Sequence, residues 1–440
     1  MKTRISALAC ALLVLASCST YKKFETPVLD VQFTDTIPSP SWRDAFPDTC
    51  LHALVDSALK YNADYNTALL RTEEARKKLT GARLKYLPSV SAAPGVSYTS
   101  SSSVQPVYDL GIDASWEIDL FGKLTAEKRL AEATLGEMQA AAQAARTRVI
   151  CTVAEAYYTL LALDRQLQIS EQTIVTWDKS IQVIEALKLA GRSNDIAVQQ
   201  SKAKMLNLKA STVALRGKVE TAESALCTLV GMPICKIRRG TIDAQSLPEF
   251  EDGIPAGYIA ARPDVLAAEK RLAEAYYATA VASAAFYPSL KLSGGAGWTN
   301  YSSGKVFDPM QIVTSAAAGL LEPIFARGQI VVDHEGAKLR QQEALAACRQ
   351  AVLEAGNEVN TALVQCSASH EKVALDRAQQ EALSTSVEKI TLLMRYSTAS
   401  YLEVLTAQQS LLDSQLLLVQ DQLAEISGHI ALYAALGGDR

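Results

Sequence analysis

The chain has 440 residues, 49% of them hydrophobic and 20% charged, a balance that excludes a disordered polymer and a disulfide-stapled miniprotein. Lys and Arg number 43 against 47 Asp and Glu, for a net charge of −4, so there is no basic excess to suggest a nucleic-acid partner. None of the 14 prolines lies between Pro106 and Pro233 or after Pro323; one proline costs a helix interior about 3 kcal/mol, so both windows are open to long helices.

Residues 1–17 read as a secretory signal. Lys2 and Arg4 precede an apolar run from Ile5 to Ala16 that is too short to span a bilayer. The end of that run, Leu15-Ala16-Ser17-Cys18, resembles the bacterial lipoprotein box. The resemblance implies cleavage before Cys18 and a covalent lipid on its thiol; no other cofactor and no metal is expected. Cys50, Cys151, Cys227, Cys235, Cys348 and Cys366 form no C-x-x-C pair and read as small apolar side chains. No later segment has 18 consecutive apolar residues, so a membrane crossing would have to use β-strands.

Residues 18–87 read as an N-terminal tether and segment followed by a first helix, and 88–121 as a β-hairpin. Between Tyr108 and Leu120 every even position is apolar: Tyr108, Leu110, Ile112, Ala114, Trp116, Ile118 and Leu120. The odd positions are Asp109, Gly111, Asp113, Ser115, Glu117 and Asp119. Alternation this strict predicts a strand with one apolar and one polar face, long enough for an outer-membrane barrel. Residues 122–231 read as a long helical hairpin. Lys123 to Ala190 contains one glycine, Gly136, and would form a rod of about 100 Å at ~1.5 Å per residue. It breaks at Gly191-Arg192-Ser193-Asn194, with Asn194 as N-cap of the next helix, which stops at Gly231-Met232-Pro233.

Residues 232–287 form a linker and helix, and 288–325 a second β-hairpin. There Leu290, Leu292, Gly294, Ala296 and Trp298 alternate with Lys291, Ser293, Gly295, Gly297 and Thr299. The strands from Ser89 to Ser97 and from Gln311 to Leu321 alternate less cleanly. Residues 326–440 are a second long helical hairpin, broken between Tyr396 and Ser400 at Ser397, Thr398 and Ala399. Tyr98, Tyr108, Trp116, Trp298, Tyr301 and Phe307 could supply an interfacial aromatic girdle.

The two halves repeat one plan. Leu87-Pro88-Ser89 recurs as Tyr287-Pro288-Ser289, Val198–Leu206 as Val404–Leu412, and Leu226–Gly231 as Leu432–Gly437. The expected fold is mainly α with a membrane β-barrel contribution of four strands per chain. Four strands cannot close in lipid, where open edges are forbidden. Two chains would give eight strands and a filled interior; three would give twelve and a water-filled lumen. A homotrimer is therefore expected, its lumen lined by Asp109, Asp113, Glu117 and Lys291.

These features together resemble the outer-membrane factors, the TolC- and OprM-like exit ducts of tripartite efflux pumps. The resemblance rests on Arg262-Pro263-Asp264-Val265 with Ala268-Glu269, Leu272, Ala275 and Tyr287-Pro288-Ser289-Leu290. It rests also on Trp42, Phe46 to Leu54, Asn62, Asp119-Leu120-Phe121-Gly122-Lys123, and Tyr401-Leu402-Glu403-Val404-Leu405 with Ala407-Gln408. It implies a homotrimer with a twelve-stranded barrel and a periplasmic α-helical barrel. An equatorial girdle from residues near 18–50, 232–262 and the C-terminus would surround it. Partners implied are a periplasmic adaptor at the hairpin tips, an inner-membrane pump of the resistance-nodulation-division type, and outer-membrane lipid. The tips would comprise Gly191, Arg192, Ser193 and Asn194 together with Ser397, Thr398, Ala399 and Ser400. The duct itself would catalyse nothing.

Some positions depart from that pattern. Ser397 stands where glycine is usual, and Ala197 where some relatives have an acidic residue. Glu403 matches an acidic position at the periplasmic constriction, but Thr406 stands where some relatives have a second carboxylate. Ser400-x-x-Glu403 is equally a capping box. Alternative readings are a type I protein-secretion duct, a structural coiled-coil envelope lipoprotein, and a soluble periplasmic enzyme with a helical insertion. The strands argue against a mere rod. No nucleophile, acid–base pair or metal cluster supports an enzyme, and His52, His334, His370 and His429 show no paired spacing.

Overall fold

The computed structural model describes residues 24–25, 41–100, 104–245, 257–299, 312–321, 327–396 and 400–438. Its first copy comprises α1 (Trp42–Ala45), α2 (Thr49–Tyr61), α3 (Ala63–Leu84), β1 (Ser89–Ser100), β2 (Val104–Ile118), α4 (Lys123–Leu189) and α5 (Asp195–Val230). A short 3-10 turn (Ile242–Ala244) and α6 (Gly257–Ala260) precede the second copy. That copy comprises α7 (Pro263–Ala284), β3 (Ser289–Thr299), β4 (Ile312–Leu321), α8 (Gln329–Arg395) and α9 (Tyr401–Ala435).

The repeat seen in the sequence sets element lengths. α3 and α7 both have 22 residues, and α4 and α8 both have 67. α5 has 36 and α9 has 35. The long helices persist because proline is absent and Gly136 is the only glycine inside α4. Each long helix is followed by a break and a partner helix, as expected of helical hairpins.

The described residues fall into two compact units. One comprises 69–141 and 264–351 and contains the β-sheet. Its four strands are antiparallel in the order β1-β2-β3-β4. Registers run Ser89↔Ser115, Asp109↔Thr299 and Ser289↔Leu321. Each pairs an odd with an odd residue, and directly opposed residues share a face. The alternation of every strand is therefore in phase across the sheet, including in β1 and β4, where the sequence pattern is weakest.

The other unit comprises 32–68, 142–263 and 352–440. It holds the main apolar core, in which Trp42, Phe46, Leu51, Val55, Tyr157, Tyr158, Leu226 and Tyr433 are buried. α2 is capped by Asp48, whose side chain accepts the Cys50 amide and also the Tyr157 hydroxyl at 2.7 Å.

One expectation needs correction. The alternation places Asp119 on the polar face of the strand, but β2 stops at Ile118. Asp119 instead accepts the Leu124 amide at 3.0 Å and the Thr125 amide at 2.9 Å. A carboxylate there satisfies free donors at the start of α4 and complements its dipole, which outweighs continuing the strand.

Candidate conduit wall and hairpin tips

The odd face of the sheet carries mostly small and polar residues. Glu117 lies directly opposite Lys291, and Asp113 opposite Gly295. Glu117 also accepts Lys123 Nζ at 2.9 Å. A Cβ at Gly295 would come within 2.5 Å of Asp113 Oδ1, so the missing side chain leaves room for that carboxylate. Asp109 lies in β2 opposite Thr299; its side chain is outside the described residues.

The even face is apolar and exposed in the single chain. Val90, Val96, Leu110, Ile112, Trp116 and Trp298 are between 40% and 68% accessible, a patch that marks an unpartnered apolar surface. Trp298 is opposite Leu110, so along β2 the two tryptophans are six residues apart, about 20 Å at 3.4 Å per residue. Trp116 Nε1 donates to the Tyr86 carbonyl at 2.9 Å, just before the first strand begins. The register thus sets Trp116 near the helix-side end of the sheet and Trp298 near the far end of β3, level with the middle of β2. Of the other girdle candidates, the side chains of Tyr98 and Tyr108, and all of Tyr301 and Phe307, lie outside the described residues.

The first hairpin turn is built on Gly191, which adopts φ +72°. That left-handed conformation lets the Gly191 amide donate to the Lys188 carbonyl and the Arg192 amide to the Leu187 carbonyl. Asn194 then accepts the Ala197 amide at 2.9 Å as N-cap of α5. Arg192 is exposed, and Ser193 Oγ is buried without a hydrogen-bond partner.

At the second turn, Ser397, Thr398 and Ala399 lie outside the described residues. Ser400 and Glu403 form a complete capping box. Glu403 Oε2 accepts the Ser400 amide at 2.7 Å, and Ser400 Oγ accepts the Glu403 amide at 3.3 Å. Glu403 and Thr406 are both exposed, one turn apart on the side of α9 opposite buried Val404 and Leu405.

The structure brings together helix residues that flank the two turns. Ile184, Ala197 and Val198 bury one another, with Tyr401 packed against them. Tyr401 donates its hydroxyl to Gln200 Oε1 at 3.0 Å, and Gln408 donates to Ser180 Oγ at 3.0 Å. Ala197, noted for lacking a carboxylate, is fully buried in this contact. Sequence reasoning missed these links, since their partners are 201 and 228 residues apart.

The motifs that carried the family resemblance have structural jobs. Asn62 accepts the Asp64 and Tyr65 amides at the start of α3 and donates Nδ2 to the Leu229 carbonyl at the end of α5. Arg262 donates to the Ala435 carbonyl in the last turn of α9 at 2.8 Å and pairs with Glu358 at 2.5 Å. Pro263 opens α7, where its missing N–H costs nothing.

A further polar clamp was not visible in the sequence. Glu223 on α5 accepts the Ile237 amide at 2.8 Å, Arg239 at 2.7 Å and Lys236 at 3.1 Å, and Arg239 also pairs with Asp164 on α4. Burial opposes charge on Glu223, but the Ile237 amide, Arg239 and Lys236 outweigh it and hold the carboxyl below the usual range.

Cys18 lies outside the described residues. Among the described residues no group of three or more His, Cys, Asp or Glu is placed to hold a metal, and no helix is long and apolar enough to cross a membrane.

The family profile described as outer membrane efflux protein matches residues 54–232 and 257–438. The cation efflux system protein CusC of Escherichia coli (strain K12) is 26% identical over 452 residues, covering 98% of each chain. The pyoverdine export outer membrane protein OpmQ of Pseudomonas putida is 27% identical over 419 residues, covering 91% of this chain and 88% of that protein. Among solved structures, the open-state MtrE outer membrane channel of Neisseria gonorrhoeae matches with a TM-score of 0.86 at 26% identity. That match covers 96% of this chain and 98% of that one. Strands, paired helical hairpins and a match across most of its length agree: the chain belongs to the outer membrane efflux protein family.

Proposed function

We propose that three copies of this chain form the passive exit duct of a tripartite efflux system. Membership in the family makes the chain an outer-membrane efflux channel; assembly, partners and cargo are the proposal's content. The observation that carries it is the sheet. Its registers place most of the apolar alternate residues on one face and most of the small and polar ones on the other, while β1 and β4 form its two outer strands. An outer strand with a free edge is not tolerated in lipid, so β4 of one copy must meet β1 of the next. Three copies give twelve strands, with Asp109, Asp113, Glu117 and Lys291 turned toward a water-filled lumen.

In this reading the lipid on Cys18 adds an anchor. The turns at 191–194 and 397–400 meet a periplasmic adaptor, which joins the duct to an inner-membrane pump of the resistance-nodulation-division type. Glu403, with Thr406 beside it, rings the periplasmic mouth. The chain supplies a path and no bond-making chemistry. Relatives are named for cations, pyoverdine, toluene and solvents; such varied cargoes on one architecture support small molecules as the cargo class, with selection at the pump.

The test is the mass and conductance of detergent-purified protein. Native mass spectrometry is expected to give three chains, and planar bilayers discrete ionic conductance. A monomer that leaves the bilayer insulating would overturn the proposal.

A further inference from the structure

α5 ends at Gly231, whose φ of +75° lets the Gly231 amide donate to the Thr228 carbonyl and the Met232 amide to the Cys227 carbonyl. Pro233 follows and prevents the helix from resuming. The chain folds back, so that Cys235 returns over the last turn of the helix it has just left. There its sulfur lies 3.8 Å from Cys227 Sγ, and Cys227 Sγ also donates to the Cys235 carbonyl at 3.5 Å. The returning segment is already docked, since Lys236, Ile237 and Arg239 all bond to Glu223, one turn before Cys227. The Gly240 amide donates to the Tyr157 hydroxyl at 3.2 Å. The two sulfurs therefore face one another across a contact that the surrounding hydrogen bonds already hold.

We propose that Cys227 and Cys235 form an intramolecular disulfide after the chain leaves the cytoplasm. The proposal rests on the outer-membrane reading, which puts both residues in an oxidising compartment. A disulfide needs an S–S distance near 2.05 Å, so the sulfurs close by about 1.8 Å through side-chain rotation. Accessibility sets the order of events. Cys235 is exposed and Cys227 buried. The Cys235 thiol loses its proton to solvent, and its sulfur attacks the disulfide of a thiol-oxidising enzyme, expelling one of that enzyme's thiolates. Cys227, deprotonated in turn, attacks Cys235 Sγ and expels the second thiolate. The enzyme's two expelled thiolates take up two protons, matching the two the cysteines released, and two electrons thereby reduce the enzyme's disulfide to a dithiol. Contact with Cys227 and the nearby Glu223 carboxylate raise the Cys235 thiol above its ordinary range, which slows the first attack without preventing it.

The other described cysteines do not compete. Burial pushes the Cys151 thiol up to about 12 and the Cys366 thiol up to about 11, and no second sulfur–sulfur contact occurs among the described residues. The bond would tie the end of α5 to the segment that carries Arg239, leaving the polar clamp beside it intact.

The experiment uses full-length protein purified in detergent and equilibrated with defined ratios of reduced to oxidised glutathione. It is then acid-quenched, denatured and alkylated. Peptide mapping is expected to find Cys227 linked to Cys235, lighter by two hydrogens than the reduced pair. In wild-type protein neither is alkylated without reductant; in Cys235→Ser, Cys227 is alkylated. Trypsin cleavage after Lys236 and Arg238 is expected to slow several-fold on oxidation in wild type, with no change in Cys235→Ser. Free thiols at both positions in the most oxidising buffer, or glutathione on Cys235 alone, would overturn the proposal. Because the buffer sets the redox state here, that outcome is separate from failure of the duct reading, which would show as absent bilayer conductance whatever the state of the thiols.

Discussion

At the start of α9 the Glu403 carboxylate already accepts the Ser400 amide at 2.7 Å, so any role in permeation is carried by a group also engaged in capping. Two substitutions separate these roles. Glu403→Gln keeps the return hydrogen bond and removes the charge; Glu403→Ala loses both, at about 1 kcal/mol of helix stability. If the ring of charge governs ion preference, both variants lose cation selectivity equally in single-channel reversal potentials. If capping is the whole role, selectivity is unchanged in both and only Glu403→Ala melts earlier. Glu223 gives a pH dependence of known sign. Its folded-state value is lowered, so its contribution is complete above the ordinary glutamate value of about 4.3 and is lost as pH falls through the lowered value. The Ile237 amide is expected to lose hydrogen-exchange protection in that acid range, and Glu223→Gln to remove the pH dependence. The capping box was legible in Ser400-x-x-Glu403 because it is local. The clamp was not, because Arg239 and Asp164 are 75 residues apart, and nothing in either neighbourhood marks the other. Asp119 misled because a capping carboxylate happens to continue the period of the strand before it.

Among the elements, β2 was the easiest to read and β1 and β4 the hardest. Strict alternation in β2 reflects one polar and one apolar environment. β1 contains Ala92, Ala93, Pro94 and Gly95, and β4 runs through Ala316, Ala317 and Ala318, runs of small residues that put the same side chain on both faces. Only the registers show that they obey the same parity. Those registers also sharpen a mutational expectation. Trp116 lies at the helix-side end of the sheet, with its indole bonded to the Tyr86 carbonyl, whereas Ile112 lies between the levels of the two tryptophans, opposite Ala92 and Ala296. Ile112→Arg is expected to cost about 2–4 kcal/mol, as for a cation at the bilayer midplane, and Trp116→Arg about 0–1 kcal/mol. Urea unfolding in lipid vesicles measures both. A cysteine scan from 110 to 118, in a background lacking the native thiols, checks the faces. A membrane-impermeant reagent is expected to label odd positions and spare even ones, and uniform labelling would remove the barrel-strand assignment.

For the whole molecule, duplication made the architecture legible. α4 and α8 begin at Lys123 and Gln329, and α5 and α9 at Asp195 and Tyr401, so both pairs recur at the 206-residue spacing of the sequence repeat. What the sequence could not reveal is how its two copies meet near the turns, because Tyr401 and Gln200 are unremarkable in sequence and significant only as a pair. The lipid anchor belongs to this scale as well. Cys18→Ala is expected to abolish incorporation of radiolabelled fatty acid and impair membrane sorting, while the strands still permit some insertion. Equal labelling of wild type and variant would refute the anchor.

The identical 67-residue lengths of α4 and α8 impose a rule on how this chain can evolve. One residue added to either helix advances its turn by 1.5 Å and rotates it by 100°. The Tyr401–Gln200 bond and the buried Ile184, Ala197 and Val198 tolerate neither. Length changes in this lineage must therefore arrive in matched pairs, one in each copy. The duplicated helices act as a gauge for each other, and relatives that differ in length are expected to have gained or lost residues in both copies together.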